Sequence, residues 1–252
     1  MKNKIVLFTI AFLIIILGIF AFQYKGVVKR EVLVVNQNIQ SAKATIIPKP
    51  TQILPSGLPN YHLIKTAFIP QAPDKKWDQP WQDACEEASL LTVYYYYHNQ
   101  NPSIPEIKAK IIDMIAYEDK QGWGKSINTD KMKQIAHSYL GFSSEIISNP
   151  SIEDIKKYVS QDIPVIVPGD GKILYKENKF FNDGGPLYHA LVVIGYDDAQ
   201  KKFIVHDVGT QHGANFRYTY SLLMSSIHDL PPSGLEKDIL RGDKKILIIH
   251  NK

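Results

Sequence analysis

An unbroken apolar run from Ile5 to Phe22, IVLFTIAFLIIILGIFAF, constrains this 252-residue chain more than any other feature. It holds one polar side chain, Thr9, and comes close to the roughly 20 residues needed to cross the hydrocarbon core of a bilayer. A short basic start precedes it, as in both signal peptides and signal anchors. The run is longer than a usual signal h-region, and Ile19-Phe20-Ala21 is a poor cleavage site. An uncleaved anchor is the expectation, with a cleaved signal as the alternative. Basic residues lie on both sides, so charge alone does not orient the segment. A leader this short usually leaves the N-terminus inside and the following domain outside the cell membrane.

Locating the charge narrows the partners. The chain carries a formal +4, but residues 1–30 hold five of its 29 basic residues and none of its 25 acidic ones. The rest has 24 basic against 25 acidic residues, a net −1. A nucleic-acid surface needs clustered Lys and Arg on a folded domain, and here the excess flanks the apolar run, so nucleic acid is not expected as a partner. Gly124-Lys125-Ser126 resembles the end of a P-loop, but Asp119 stands where the first glycine belongs, so no nucleotide is expected either. Asp197-Asp198 starts like a calcium loop without its later ligands and reads as a turn.

Between the anchor and the domain, residues 31–60 carry Pro48, Pro50, Pro55 and Pro59 among small and polar residues and read as a tether. The expected organisation is an anchor over 1–24, a linker over 25–60 and a domain over 61–252. His62 to Ile69 alternates as a strand ending at Pro70. A helix is predicted from about Cys85 to His98, with Ala88, Leu91, Thr92 and Tyr95 on one buried face. Ser103 and Glu106 form a capping box for a second helix with Ile107, Ile111, Met114 and Ile115 inward. Thr129 is the expected cap of a third helix and Ser151 of a short fourth. Strands follow at Ile163 to Val167, Tyr188 to Tyr196, Lys202 to Asp207 and Lys245 to His250, with a helix at Ser221 to His228. Helices followed by strands on short turns predict an α+β domain, its N-terminal helices packed on a mainly antiparallel sheet and one transmembrane helix preceding it.

The only thiol, Cys85, falls where the polar loop Gln79 to Ala84 turns into the first helix. A helix N-terminus favours thiolate and anions, whereas Glu86 and Glu87 work against a neighbouring thiolate. A buried structural cysteine is the competing reading. The partners follow from a hairpin. If its turn centres on Asp198, His189 lies directly opposite Asp207 on one face, close enough for a carboxylate to orient an imidazole. A one-residue slip would separate them. Cys85, His189 and Asp207 thus suit nucleophile, base and orienter. A metal set of His189, His206, Asp207 and His212 is disfavoured because these residues alternate faces, and one cysteine rules out thiolate-only zinc sites. No metal or cofactor is expected.

Three ordered motifs carry a resemblance. Phe68-Ile69-Pro70-Gln71-Ala72-Pro73 with Trp77-Asp78 and Cys85-Glu86-Glu87-Ala88-Ser89 resembles the N-terminal motif of the bacterial C39-like peptidases, a papain-like group. His189 to Asp197 looks like that family's His-bearing strand. His206-Asp207-Val208-Gly209-Thr210 and Arg217-Tyr218-Thr219-Tyr220 are similar to its Asp segment and the tyrosine stretch after it. The resemblance spans about residues 61–230. It implies a papain-like cysteine peptidase fold, Cys85 as nucleophile, His189 as general acid/base, Asp207 as orienter, and a Gln in the oxyanion hole. Gln71 is the favoured match, with Gln79 and Gln82 also open. Ala84-Cys85-Glu86 departs from the Asp-Cys-Gly of bacteriocin-processing members, and Val208 replaces a frequent Pro. The expected function is cleavage of peptide or amide bonds outside the cytoplasm, on a peptide or peptidoglycan-type substrate. The rivals are a cell-wall amidase or crosslink hydrolase and an inactive anchored binding module.

Overall fold

The computed structural model describes residues 57–251. The expected anchor over 1–24, and all but the end of the linker over 25–60, lie outside the described residues. Among those described, no helix is long and apolar enough to cross a membrane.

The chain enters through a short strand, β1 (Tyr61–Leu63), and a stretch of irregular backbone. Three helices follow, α1 (Cys85–Tyr97), α2 (Ile104–Lys120) and α3 (Thr129–Ser138). Then come β2 (Ser143–Ser148), α4 (Ile152–Val159), β3 (Val165–Gly169) and the single turn α5 (Gly171–Leu174). The hairpin β4 (His189–Asp197) and β5 (Lys202–His206) leads to β6 (Phe216–Thr219), α6 (Tyr220–Ser226) and β7 (Lys245–His250). The strands form one antiparallel sheet in the order β2-β7-β3-β4-β5-β6, with β1 also on β4. The expected α+β domain with an antiparallel sheet is thus present. Strands interleave with the later helices instead of simply following them.

Helix α1 is the central element, and the one-face expectation for it is too narrow. Every residue from Cys85 to Val93 is buried, because β4, α2 and α3 all pack around it. The helix stops at His98, and Asn99 takes a left-handed φ of +50°, a conformation asparagine tolerates after a helix. The capping box at Ser103/Glu106 forms as predicted, and Ser151 caps its helix as expected, with Asp154 completing a second box. At α3 the cap moves by one residue. Asn128, not Thr129, accepts the Lys131 N–H, since its side chain stands on the extended residue that precedes the first helical one.

The predicted strand from His62 to Ile69 is cut to three residues for a topological reason. β1 pairs with the second half of β4, ending at Leu63 opposite Gly195, and from Val193 back to His189 that edge belongs to β3. The Ile64 N–H still reaches the Ile194 carbonyl at 2.8 Å, and with the edge then taken the chain runs on to residue 70 outside any strand. Gly195 is required at the crowded point, where an added Cβ would meet the His62 carbonyl oxygen at 2.7 Å. β2 and β6 are not foreshadowed by the sequence pattern. Both are edge strands, half-buried, with little alternation to reveal them.

The hairpin register also differs. The turn occupies residues 198–201, Asp197 pairs with Lys202, and an irregularity between Val193 and Gly195 puts Val192 opposite His206. β5 ends at His206, and its register carried one step further aims Asp207 at Leu191, two residues from the expected pairing with His189. Because side chains alternate with period two, an even displacement keeps both on one face as diagonal neighbours.

Candidate active site

Cys85 is the first residue of α1, delivered by a tight turn at Trp81–Asp83. Its sulfur lies within reach of the Ala190 backbone N–H at the start of β4, one residue from His189. The first turn of the helix and the first residues of the central strand therefore abut. His189 is buried, and its Nε2 lies 2.8 Å from Oδ1 of Asp207. Phe181 holds the other side of the ring, edge-on at 5.2 Å between centroids.

Asp207 is wholly buried and its carboxylate is crowded with donors. Tyr218 donates its hydroxyl to Oδ2 at 2.5 Å, Asn178 donates Nδ2 to the same oxygen at 2.9 Å, and the Gly209 N–H donates to Oδ1 at 3.2 Å. Burial works to raise the Asp207 pKa, but His189 and the hydrogen bonds from Tyr218 and Asn178 outweigh it and bring the pKa below the ordinary range. Burial, then Asp207, pushes Tyr218 far up, which keeps its hydroxyl a donor. Asn178 lies in the long connection between α5 and β4, and nothing in the sequence pattern singles it out. Tyr218 sits in the tyrosine stretch after the Asp segment, and that stretch by itself gives no sign of its tie to Asp207.

The thiol is less acidic than its place at a helix start suggests. Burial first, and Glu86 next, push the Cys85 pKa well above the ordinary thiol value. Gln71 is buried, and its Nε2 donates to the carbonyls of Trp81 and Gln82, both at 3.0 Å, pinning the loop that precedes the cysteine. Its Oε1 has no partner among the described residues. Gln79 donates to Asp83 at 2.6 Å. Gln71, Gln82, Cys85 and His189 all line one cleft of about 690 Å³, with Phe180 and His212 packed on each other at its mouth. His206 lies apart, bonded to the Thr66 carbonyl and the Asn215 N–H. It therefore shares no cluster with His189. Among the described residues, no group of three His, Cys, Asp or Glu side chains is placed to hold a metal.

The model of the Peptidase_C39 like family matches residues 64–228. The chain belongs to this family. No curated protein matches it. Among solved structures, a protein from Bacillus anthracis, provisionally assigned as a C39-like peptidase, is 16% identical with a TM-score of 0.33. The match covers 50% of this chain and 60% of that one, so less than two thirds of the other protein is spanned, and a likeness this loose carries no argument. Along the chain of this family member, a cysteine opens a buried helix, His189 begins β4 and Asp207 follows directly on β5.

Two features of this C39-like site make predictions. An added Cβ at Gly209 would lie 2.5 Å from Cε1 of His189 and 2.8 Å from Phe181. Gly209→Ala is therefore expected to displace the imidazole and weaken its hydrogen bond to Asp207, lowering stability by about 1–3 kcal/mol. Urea titrations and the His189 ring resonances check this.

Behind the cysteine, Glu86, Glu87 and Glu118 are buried together. Burial raises all three, Glu86 to about 8 and Glu118 to about 7, with Glu118 also raising Glu87. A carboxyl raised on folding binds more protons folded than unfolded. Its contribution to stability is full below about pH 4.5 and is lost as pH rises through 7 to 8. Glu118→Gln is expected to flatten that decline and stabilise the domain at pH 8 by about 1–3 kcal/mol, since each tenfold change in proton affinity on folding is worth roughly 1.4 kcal/mol. Urea titrations at pH 5 and pH 8 measure the difference.

Proposed function

We propose that this chain is a membrane-anchored, extracytoplasmic thiol hydrolase that cleaves peptide or amide bonds with Cys85, His189 and Asp207. Residues 1–24 would anchor it, 25–60 tether it and 61–252 form the catalytic domain. The observation that carries the reading is the buried His189–Asp207 pair at 2.8 Å, opening on the cleft that Cys85 also lines.

Asp207 accepts through Oδ1 from His189 Nε2, which leaves Nδ1 as the nitrogen free to take a proton. In the proposed reaction Nδ1 removes the Cys85 proton, and the sulfur attacks the carbonyl carbon of the substrate. The tetrahedral oxyanion is held by the Cys85 backbone N–H at the start of α1 and by a side-chain amide. Gln71, Gln79 and Gln82 are the candidates for that amide. Both Gln71 N–H groups are engaged by backbone carbonyls, so its use would require one of those bonds to open, whereas Gln82 borders the cleft without such a tie. Imidazolium then protonates the leaving amine, and water, deprotonated by His189, hydrolyses the thioester.

The test is a peptide-library digest by the full chain in membranes, with Cys85→Ala alongside. Products from the wild type alone support the reading. Products equal in both overturn the nucleophile assignment, cleavage restricted to peptidoglycan stems moves the enzyme to the cell-wall class, and no cleavage by either overturns hydrolysis.

A further inference from the structure

The reaction as proposed leaves a buried acid unused beside the reacting atom. Oε2 of Glu86 lies 2.9 Å from the Cys85 sulfur, and the residue has no exposure to solvent. Its other oxygen, Oε1, accepts the Ile127 backbone N–H at 2.9 Å. Ile127 is itself held in place by the Tyr188 hydroxyl, which donates to its carbonyl at 2.9 Å. The Glu86 carboxyl is thus fixed at both ends. Since Oε1 already receives a donor, a proton on this carboxyl belongs on Oε2, between the acid and the sulfur.

We propose that Glu86 works as a carboxylic acid: Oε2–H donates to the Cys85 sulfur as the thiolate forms, and ionisation of Glu86 reverses that hydrogen bond and locks the thiol protonated. The protons balance within the three groups. The S–H bond breaks, the N–H bond forms on His189, and the Glu86 O–H stays intact while turning its hydrogen toward the new charge. When Glu86 is ionised, S–H donates to the carboxylate instead, and a thiolate would face a second negative charge in a dry site, which is strongly opposed.

The groups facing Glu86 favour its neutral form. Cys85 and Glu87 flank it on α1, Glu118 approaches from α2, and Tyr188 faces it from the lead into β4. Lys131 on α3 bears on Glu118. Burial, the largest cause, holds the Glu86 pKa at about 8, so the acid form prevails at neutral pH and is lost on the alkaline side.

This inference rests on Cys85 being the nucleophile, but its test needs no hydrolysis. Cys85 is the only cysteine in the chain, so alkylation of the full-length protein by iodoacetamide reports on that sulfur alone. In Glu86→Gln the amide oxygen can accept from Ile127 while the amide N–H donates to sulfur at every pH. The expected alkylation rates of wild type and variant converge at pH 6 and separate above pH 8, the variant being about tenfold faster at pH 9, the size of a tenfold change in thiol acidity. Superimposed profiles, or a constant ratio across pH as a merely structural role would give, overturn the proposal. If the variant does not fold, the infrared difference spectrum between free and alkylated wild type serves: a change in the protonated-carboxyl stretch supports the shared hydrogen bond, and none overturns it. Diverging profiles without peptide cleavage would remove the hydrolase reading and leave the Cys85–Glu86 pair standing.

Discussion

Cys85→Ala is expected to lower kcat/KM by on the order of 10⁴–10⁶-fold, the scale seen when the nucleophile of a coupled catalytic set is removed. The side chain is small and buried, and the alanine retains the helix start and its backbone N–H. The loss should therefore fall on chemistry. The variant leaves the buried Glu86 Oε2 without its sulfur partner, so a stability loss of about 1–3 kcal/mol should accompany the kinetic one. Hydrolysis rates read beside urea midpoints separate the two effects. An anchored binding module would show the opposite pattern, with ligand affinity intact and no turnover to lose.

Asp207→Asn is expected to lower kcat by about 10²–10⁴-fold with KM nearly unchanged, because a neutral amide neither fixes the His189 tautomer nor stabilises imidazolium. Here the substitution also reaches the fold. The carboxylate receives four donors in a dry site, and an amide presents two donors of its own among them. Hydrogen bonds to a buried charge are worth about 1.5–3 kcal/mol each, so a stability loss of about 2–4 kcal/mol should accompany the kinetic one. The pH dependence carries a sign. Asp207 is held below its ordinary value, so its contribution to stability is present above about pH 4 and is lost as pH falls through the lower folded value. The variant should lack that acid-side loss. An acid limb in the wild-type activity should likewise not arise from Asp207. Rates at saturating substrate, with urea titrations at pH 3 and pH 7, measure both parts.

The residues that were legible in the sequence owe it to local or periodic chemistry. The box at Ser103/Glu106 and the cap at Ser151 bond within three residues, so spacing alone reveals them. Strand β7 is a buried apolar run and appears with the predicted bounds. Cys85 at a helix start, with His189 and Asp207 around a hairpin, could be nominated because turn and strand signals bracket them. The exact pairing could not. It depends on an irregularity between Val193 and Gly195, where β1, β4 and β5 crowd one glycine. His189 and Asp207 still meet because the resulting displacement is even.

By itself the sequence determined the separation of an apolar N-terminal run from a near-neutral domain, the α+β class, and three residues suited to thiol chemistry. These follow from composition, period and capping, which act over a few neighbouring residues. The tertiary structure alone decided the environment of those residues. Asn178 and Tyr218 reach Asp207 from a distant loop and an edge strand, and Glu86, adjacent in sequence to the cysteine, becomes a buried acid only because α2 and the Ile127 loop close over it. Burial and partner geometry arise from segments far apart in the chain, and they set whether a carboxyl near a sulfur is a proton donor or a repelling charge.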